Sequence, residues 1–401
     1  MPGRTWVIAP DVATLERRWQ RLINESDPAK KEQLFHPHFR RSMLGDRHLN
    51  KGVSEGLASH EKRIFSVASD MGAIIRPTRY GFRSFDRQWI VPDARIINQP
   101  NSNLWNSYSQ KQLFITALDR SSPRSGPAIS LTDCLPDHDH YRGSFAGRVY
   151  PLWTDAGATT PNIRPELLAL LAHTYGAAVT PEDALAYVAA IMAHPAFTAR
   201  FSADLKQPGL RLPLTAMADL FAEGVALGRE IVWLHCYGER FVDASAGRPK
   251  GPPRLAKDAP RIPVNGAIPP APAPLPDTMT YDAATRRLSI GGGIIENVTP
   301  AMWAYEVSGK NVLRQWFSYR RRDRTKPQIG DKRPPSPLEK IVPDGWLHEY
   351  TTDLLDLLNV LGRLAALEPR QADVLKRICE DKLIAPATLH RSLLANGTAD
   401  N

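Results

Sequence analysis

The sequence predicts a mixed α+β fold, and three observations carry it. Short apolar runs broken by Pro, Gly, Asn, Asp and Ser fill residues 76–153. Longer stretches with helical spacing follow Trp153. A Pro-rich stretch at 247–277 then separates a short hairpin pattern from further helices. The expected organisation is an N-terminal connecting segment (1–70), a β-rich module (71–155), a helical scaffold (156–246), the Pro-rich connector (247–277) and a C-terminal hairpin and helical region (278–401).

Taken in order, Val12–Ile23 carries Leu15, Trp19 and Leu22 at helix spacing. A basic segment follows, with His36, His38, Arg40, Arg41, Arg47, His48 and Lys51; it is either a surface loop or a backbone-phosphate contact. Strands are expected at Gln88–Val91, Gln112–Leu118, Ala128–Thr132 and Arg148–Trp153. Next comes a helix over LLALLAHTY, with Gly176 placed to end it. Thr180 is a good N-cap, with Pro181 at the first helical position and Asp183 three residues on. That helix runs to His194-Pro195, a short one covers Phe197–Leu205, and another spans Met217–His235. The connector is too rich in Pro for a helix or central strand. Beyond it, Thr280–Tyr281, Arg287–Ile290 and Ile294–Ile295 predict a hairpin. Helices are expected from Thr299-Pro300, over Lys310–Tyr319 and over Tyr350–Leu367, with Pro369 as a break before a last helix at Gln371–Glu380.

The 401 residues are enough for two or three domains, and 42% hydrophobic against 23% charged residues marks a globular chain. No apolar run reaches membrane-spanning length, and the N-terminus lacks a signal-peptide core. Cys134, Cys236 and Cys379 lie far apart, which fits free thiols in a reducing, cytoplasmic compartment. Lys and Arg total 51 against 42 Asp and Glu, a formal net charge of +9 that favours a polyanionic partner.

Much of that charge sits in the β-rich stretch, as Arg79, Arg83, Arg87, Arg95, Lys111, Arg120, Arg124, Arg142 and Arg148. Asn98, Asn101, Asn103 and Asn106 interleave with Trp105 and Tyr108. Arg forks phosphates and guanine edges, Asn pairs with adenine, and aromatics stack on bases. The same inventory also suits an ordinary sheet with a solvated basic face. A second basic run, from Lys310 to Arg333, includes Arg314, Arg320, Arg321, Arg322 and Arg324.

Other constellations carry less. Cys134, His138 and His140 lack a fourth zinc ligand and a second half-site. Ser289–Gly293 lacks the spacing of a dinucleotide loop and reads as a turn. No phosphate loop, no adenine-holding Asn-Pro-Pro-Tyr tetrapeptide and no paired carboxylate–lysine nuclease cluster occurs, so no catalytic residue is assigned.

Several blocks together resemble the C-terminal specificity region of type ISP restriction–modification enzymes and related large bacterial adenine-N6 DNA methyltransferases. They include YGFRSFDRQW, LTDCLPDHDHY at 131–141, GRVYPLW at 147–153, AYVAAIMAHPAFTARF at 186–201, LRLPL at 210–214 and GREIVWLH at 228–235. VTPAMWAYEVSGKNVLRQWFSYRRRDR at 298–324 and LLNVLGRLAALEP at 357–369 complete the set; the resemblance is weakest over 1–70. It implies target recognition on double-stranded DNA, serving nuclease, helicase-like and methyltransferase modules in cis or in trans. S-adenosylmethionine, ATP and Mg²⁺ would belong to those modules, and no cofactor is expected in this chain. Arg79, Arg83, Arg87, Asn101, Asn103, Lys111, Arg120, Arg124, Arg142, Arg320, Arg321, Arg322 and Arg324 are the candidate DNA contacts, with base reading placed in 79–148. Phe85 and Trp89 are expected to be structural, with a turn at Ser84–Asp86. Rival readings are a methyltransferase in its own right, a scaffold docking a methyltransferase in trans, and a fragment without independent binding.

Overall fold

The first elements form because local signals and burial agree. A computed structural model of the protein describes residues 4–37, 47–119, 121–144, 147–207, 209–323 and 333–389. A short strand β1 (Ile8–Ala9) leads into α1 (Val12–Ile23), whose N-cap Asp11 accepts a hydrogen bond from the Thr14 amide at 2.7 Å. Asp27 caps α2 (Pro28–Phe35) in the same way. Next come β2 (Thr78–Arg83), β3 (Asp86–Ile90), α3 (Ser102–Ser107), β4 (Phe114–Leu118), β5 (Ile129–Thr132), β6 (Leu135–Pro136) and β7 (Gly147–Pro151).

A helical block follows: α4 (Pro165–Tyr175), α5 (Pro181–Met192), α6 (Pro195–Arg200) and α7 (Ala218–His235). Gly176 ends α4 with φ +66°, and Thr180 and Asp183 form a reciprocal capping box at the start of α5. Helices α5 and α7 pack closely because Gly228 has no side chain; a Cβ there would lie 1.7 Å from the Ala186 carbonyl oxygen. After the Pro-rich stretch come β8 (Met279–Asp282), β9 (Arg287–Ile290), β10 (Gly293–Ile295), α8 (Pro300–Ala304), β11 (Glu306–Val307), β12 (Lys310–Asn311), α9 (Val312–Ser318) and α10 (His348–Glu380).

The architecture is α+β, with sheets ordered β1-β3-β2-β6, β5-β4-β7, β10-β9-β8 and β11-β12. Two hydrophobic cores hold it together. The first gathers Trp6, Trp19 and Phe35 with Tyr80, Phe82, Ile90 and Ile96. The second joins the β5-β4-β7 sheet, α5, α7, the β8–β10 hairpins, α9 and α10. The cores cut across the compositional boundaries, because residues before position 40 and the β2–β3 hairpin share one core while β4 and β5 mostly serve the other. Residues 247–277 carry no helix or strand. They are nonetheless packed down, with Ile268 and Leu275 buried and Arg261 bridged to Glu296.

The sequence expectation fails at Pro369, which lies inside α10 instead of ending it. Pro369 is exposed, and the buried stripe of Leu357, Leu361 and Leu364 resumes in register at Gln371, Val374, Leu375 and Ile378. Packing along that stripe offsets the roughly 3 kcal/mol a helical proline costs. The expectation also missed β2, and Lys310 begins as strand rather than helix.

Three histidines inside the fold set a pH dependence. Burial lowers His140 and His235 to about 3 and His194 to about 4, from an ordinary 6.5. The unfolded chain therefore takes up protons below about 6.5 while the folded chain does not. Stability is full above that value and falls as pH drops toward 3–4, at about 1.4 kcal/mol per pH unit for each histidine. Urea denaturation at pH 7, 6 and 5 should show a declining midpoint; an unchanged midpoint would rule this out.

Candidate nucleic-acid interface

The candidate cations separate into inward and outward sets. Arg83 ends β2 and is buried; its guanidinium donates to Asp137 at 2.8 Å and to the Tyr319 hydroxyl at 3.3 Å. Burial opposes its charge, but Asp137 and Tyr319 outweigh that and hold its pKa above the usual arginine value. Arg320 is likewise buried, donating to Asp86 at 2.8 Å and lying 3.9 Å from the Trp316 ring centre. Neither faces a partner outside the chain, so the expectation that both contact DNA is corrected. The reason is that each has a carboxylate waiting for it in the fold, on β3 or just beyond β6.

The turn expected at Ser84–Asp86 exists between β2 and β3. Phe85 sits there at φ +64°, a region a bulky side chain seldom adopts. Its ring packs 4.7 Å from His235 and 5.7 Å from Tyr305, and its carbonyl accepts the Tyr237 hydroxyl at 2.8 Å. Phe85 is thus structural, and so is the half-buried Trp89, which stacks beneath Arg79 at 4.3 Å. Arg79 and Arg87 are half-buried on one face of the β2–β3 hairpin. Arg321 and Arg322 share Asp277, which damps their charge. Arg120 and Arg324 lie outside the described residues, as do His38, Arg40 and Arg41.

The remaining candidates sit at opposite ends of β4. Asn101, Asn103 and Lys111 precede it and are exposed, but the Asn101 side chain is used to cap α3, accepting from the Leu104 amide at 3.2 Å. Arg124 follows β4 and is exposed. It meets residues from far along the chain. Gly126 packs on the Glu306 backbone, and a Cβ on Gly309 would lie 3.5 Å from the Arg124 Cβ. Gly309 occupies the β11–β12 turn at φ +73°, next to the exposed Lys310. Exposed Arg314 on α9 lies 5.0 Å from the Trp303 ring centre. Gln315 donates to the Arg142 carbonyl at 3.3 Å, which brings the half-buried Arg142 to the same place.

Arg124, Lys310 and Arg314 make no ion pair with a described residue. Segments 121–127, 141–144 and 306–315 therefore converge on one outward cationic surface. Lys310 and Arg314 belong to the basic run but were not among the candidate contacts; the Ser308-Gly309 turn before them was the available signal. Among the described residues, no group of three or more His, Cys, Asp or Glu is placed to hold a metal ion. His138 is exposed, and His140 is buried against the Thr116 hydroxyl at 2.9 Å. Burial, with Asp133 beside it, pushes the Cys134 thiol up to about 12.

A family model described as the Type ISP C-terminal specificity domain matches residues 1–357. The chain belongs to that family. Three solved structures share its fold. A nuclease-deletion mutant of the Type ISP restriction–modification enzyme LlaGI, in complex with a DNA substrate mimic, is 17% identical with a TM-score of 0.50, covering 79% of this chain and 25% of that one. A DrdV–DNA complex is 19% identical with a TM-score of 0.56, covering 92% and 34%. The ATP-dependent Type ISP restriction–modification enzyme LlaBIII bound to DNA is 13% identical with a TM-score of 0.55, covering 92% and 22%. This Type ISP specificity domain thus spans between 22% and 34% of the length of the chains it matches. No curated protein matches it.

The buried pairs of this Type ISP domain generate a stability prediction. Removing one partner strands a buried charge, at a cost of about 3–5 kcal/mol. Arg320→Ala and Arg83→Ala should each lower the denaturation midpoint sharply, while Arg314→Ala changes stability by less than about 0.5 kcal/mol. Equal, small effects for all three variants would refute the inward assignment.

Proposed function

We propose that this chain reads a specific sequence of double-stranded DNA as the specificity part of a restriction–modification enzyme. The observation that carries the reading is the convergence of Arg124, Lys310 and Arg314, exposed and without ion-pair partners among the described residues, at one place on a packed frame. Outward-facing cations supply phosphate affinity, and an arginine fork also matches a guanine edge. Membership of the Type ISP specificity family supports it, as do the DNA complexes formed by the LlaGI, DrdV and LlaBIII proteins. The partners are the DNA duplex and, in cis or in trans, methyltransferase, helicase-like and nuclease modules. S-adenosylmethionine, ATP and Mg²⁺ serve those modules. DNA as partner and cysteines without disulfides fit a cytoplasmic setting. Among the described residues, no helix is long and apolar enough to cross a membrane.

Exposed Ile64, Phe65 and Met71, close together in the chain, favour a second reading as a face that docks another protein. Selection of bound sites from a random duplex pool separates the two. One enriched asymmetric motif supports DNA reading; no enrichment from folded protein sinks it. For the phosphates, the Arg124→Ala, Lys310→Ala and Arg314→Ala triple variant should shrink the slope of log K against log salt by about 0.9 for each phosphate it no longer neutralises. An unchanged slope would mean this surface faces away from DNA. Singly, Arg124→Ala or Arg314→Ala should relax preference at one base pair by about 1–3 kcal/mol if its fork reads an edge.

A further inference from the structure

Among the outward cations, Arg314 is held by a ring. It is exposed on α9, and its guanidinium lies 5.0 Å from the Trp303 ring centre. Trp303, half-buried on α8, is itself stacked on the half-buried Tyr281 of β8, with ring centres 5.2 Å apart and planes at 23°. The Tyr281 hydroxyl donates to the Val298 carbonyl at 2.9 Å, just ahead of α8. Asn311 ties Arg314 and Trp303 together through the backbone. Its side-chain oxygen accepts from the Arg314 amide at 2.9 Å, and its side-chain amide donates to the Trp303 carbonyl. Strand β8, helix α8 and the start of α9 thus meet at one guanidinium. Arg124 has no ring beneath it among the described residues.

An arginine reads guanine when its fork lies in the plane of the base edge, so that two N–H groups meet O6 and N7 together. A free arginine must give up rotamer freedom to adopt that pose. A ring beneath the guanidinium removes part of that freedom in advance, through cation–π attraction. Such preorganisation favours the one ligand whose geometry fits the pose. A phosphate contact carries no sequence information and gains little from it. The Arg314 side chain adds nothing to either hydrophobic core, and no described carboxylate takes its charge, so the stack serves what lies outside the chain.

We infer that Trp303, backed by Tyr281, is a positioning residue that sets the Arg314 fork to read the O6 and N7 edge of a guanine. The inference rests on the proposed DNA reading and adds to it a base and a means of recognition. Trp303 acts through Arg314 and does not itself touch the duplex.

Site selection with the full chain comes first, followed by binding to each single-base variant of the selected site. Arg314→Ala should lose about fivefold or more of discrimination at one position, and that position should hold guanine. Trp303→Leu should lose about two- to fivefold at the same position. Its slope of log K against log salt should not change, because the Arg314 charge is still there. Trp303→Phe keeps a ring and should retain most of the preference. Placing 7-deazaguanine at that position removes N7; it should weaken binding by the unmutated chain and leave binding by Arg314→Ala as it was. Trp303→Leu and Arg314→Ala should overlap when combined, whereas Trp303→Leu and Arg124→Ala should add. Where Trp303→Leu folds poorly, Tyr281→Leu leaves the indole in place without its support and gives the same readout.

An absent motif sinks the DNA reading itself. With a motif in hand, full preference in Trp303→Leu or in Arg314→Ala overturns this inference alone. So does a position that holds a base other than guanine, or a loss in Trp303→Leu spread evenly over every sequence. Equal losses in Trp303→Phe and Trp303→Leu also overturn it, since the indole N–H would then be the contact.

Discussion

The ion pair between Asp86 and Arg320 is the constraint on which the rest of the arrangement depends. Asp86 opens β3 at the edge of the first core, and Arg320 lies just past α9 in the second. Buried pairs of this kind contribute little net stability, because desolvation cancels much of the attraction; what they impose is position. Here the position is shared by three near neighbours in one turn. Arg83 reaches Asp137 and Tyr319, Phe85 drives its ring between His235 and Tyr305, and Asp86 takes Arg320. Phe85 adopts φ +64° at a cost on the order of 1–3 kcal/mol, offset by burial of its ring and by the Tyr237 hydrogen bond to its carbonyl.

That anchor has consequences at the surface. With Arg320 fixed, the end of α9 is fixed, and so is the β11–β12 turn at its other end. Gly126 then lets the loop after β4 lie against the Glu306 backbone, where a Cβ would come within 2.3 Å of its carbonyl oxygen, and Gly309 makes the turn itself at φ +73°, which a residue with a side chain seldom adopts. The outward cations Arg124, Lys310 and Arg314 are therefore held by a frame whose rigidity comes from inward ones. Arginine serves both purposes because its fork satisfies a buried carboxylate as well as it would a phosphate.

That dual use explains what could be read from the sequence. Periodicity and punctuation located most elements: Leu15, Trp19 and Leu22 mark one helix, Thr180 starts another, Gly176 ends one, and four strands of the 76–153 stretch lie close to their expected runs. These signals are local, so local reasoning reaches them. Pro369 defeated it because the stripe from Leu357 to Ile378 is a tertiary feature that overrides a local penalty. The first 35 residues looked like a connecting segment since nothing in Trp6 or Trp19 reveals that Phe82 and Ile90 will cover them. Above all, composition counts arginines without saying which have carboxylates in reach. Asp86 and Arg320 are 234 positions apart, and only the fold brings them together.

The polar groups around the outward surface show how the work is divided there. Asn311 caps α9 through its carbonyl oxygen and donates its amide to the Trp303 carbonyl, while Gln315 is turned back toward Arg142. Both side chains that could have paired with adenine are thus engaged in holding the segment. What remains free among the described residues at that place is cationic: Arg124, Lys310 and Arg314. Lysine is a point charge suited to a phosphate, whereas the two arginines carry forks that fit either a phosphate or the O6 and N7 of guanine. On the proposed reading, discrimination at this surface falls to Arg124 and Arg314. Asn103 and Lys111, across the length of β4, would have to meet a different stretch of the same duplex or none at all.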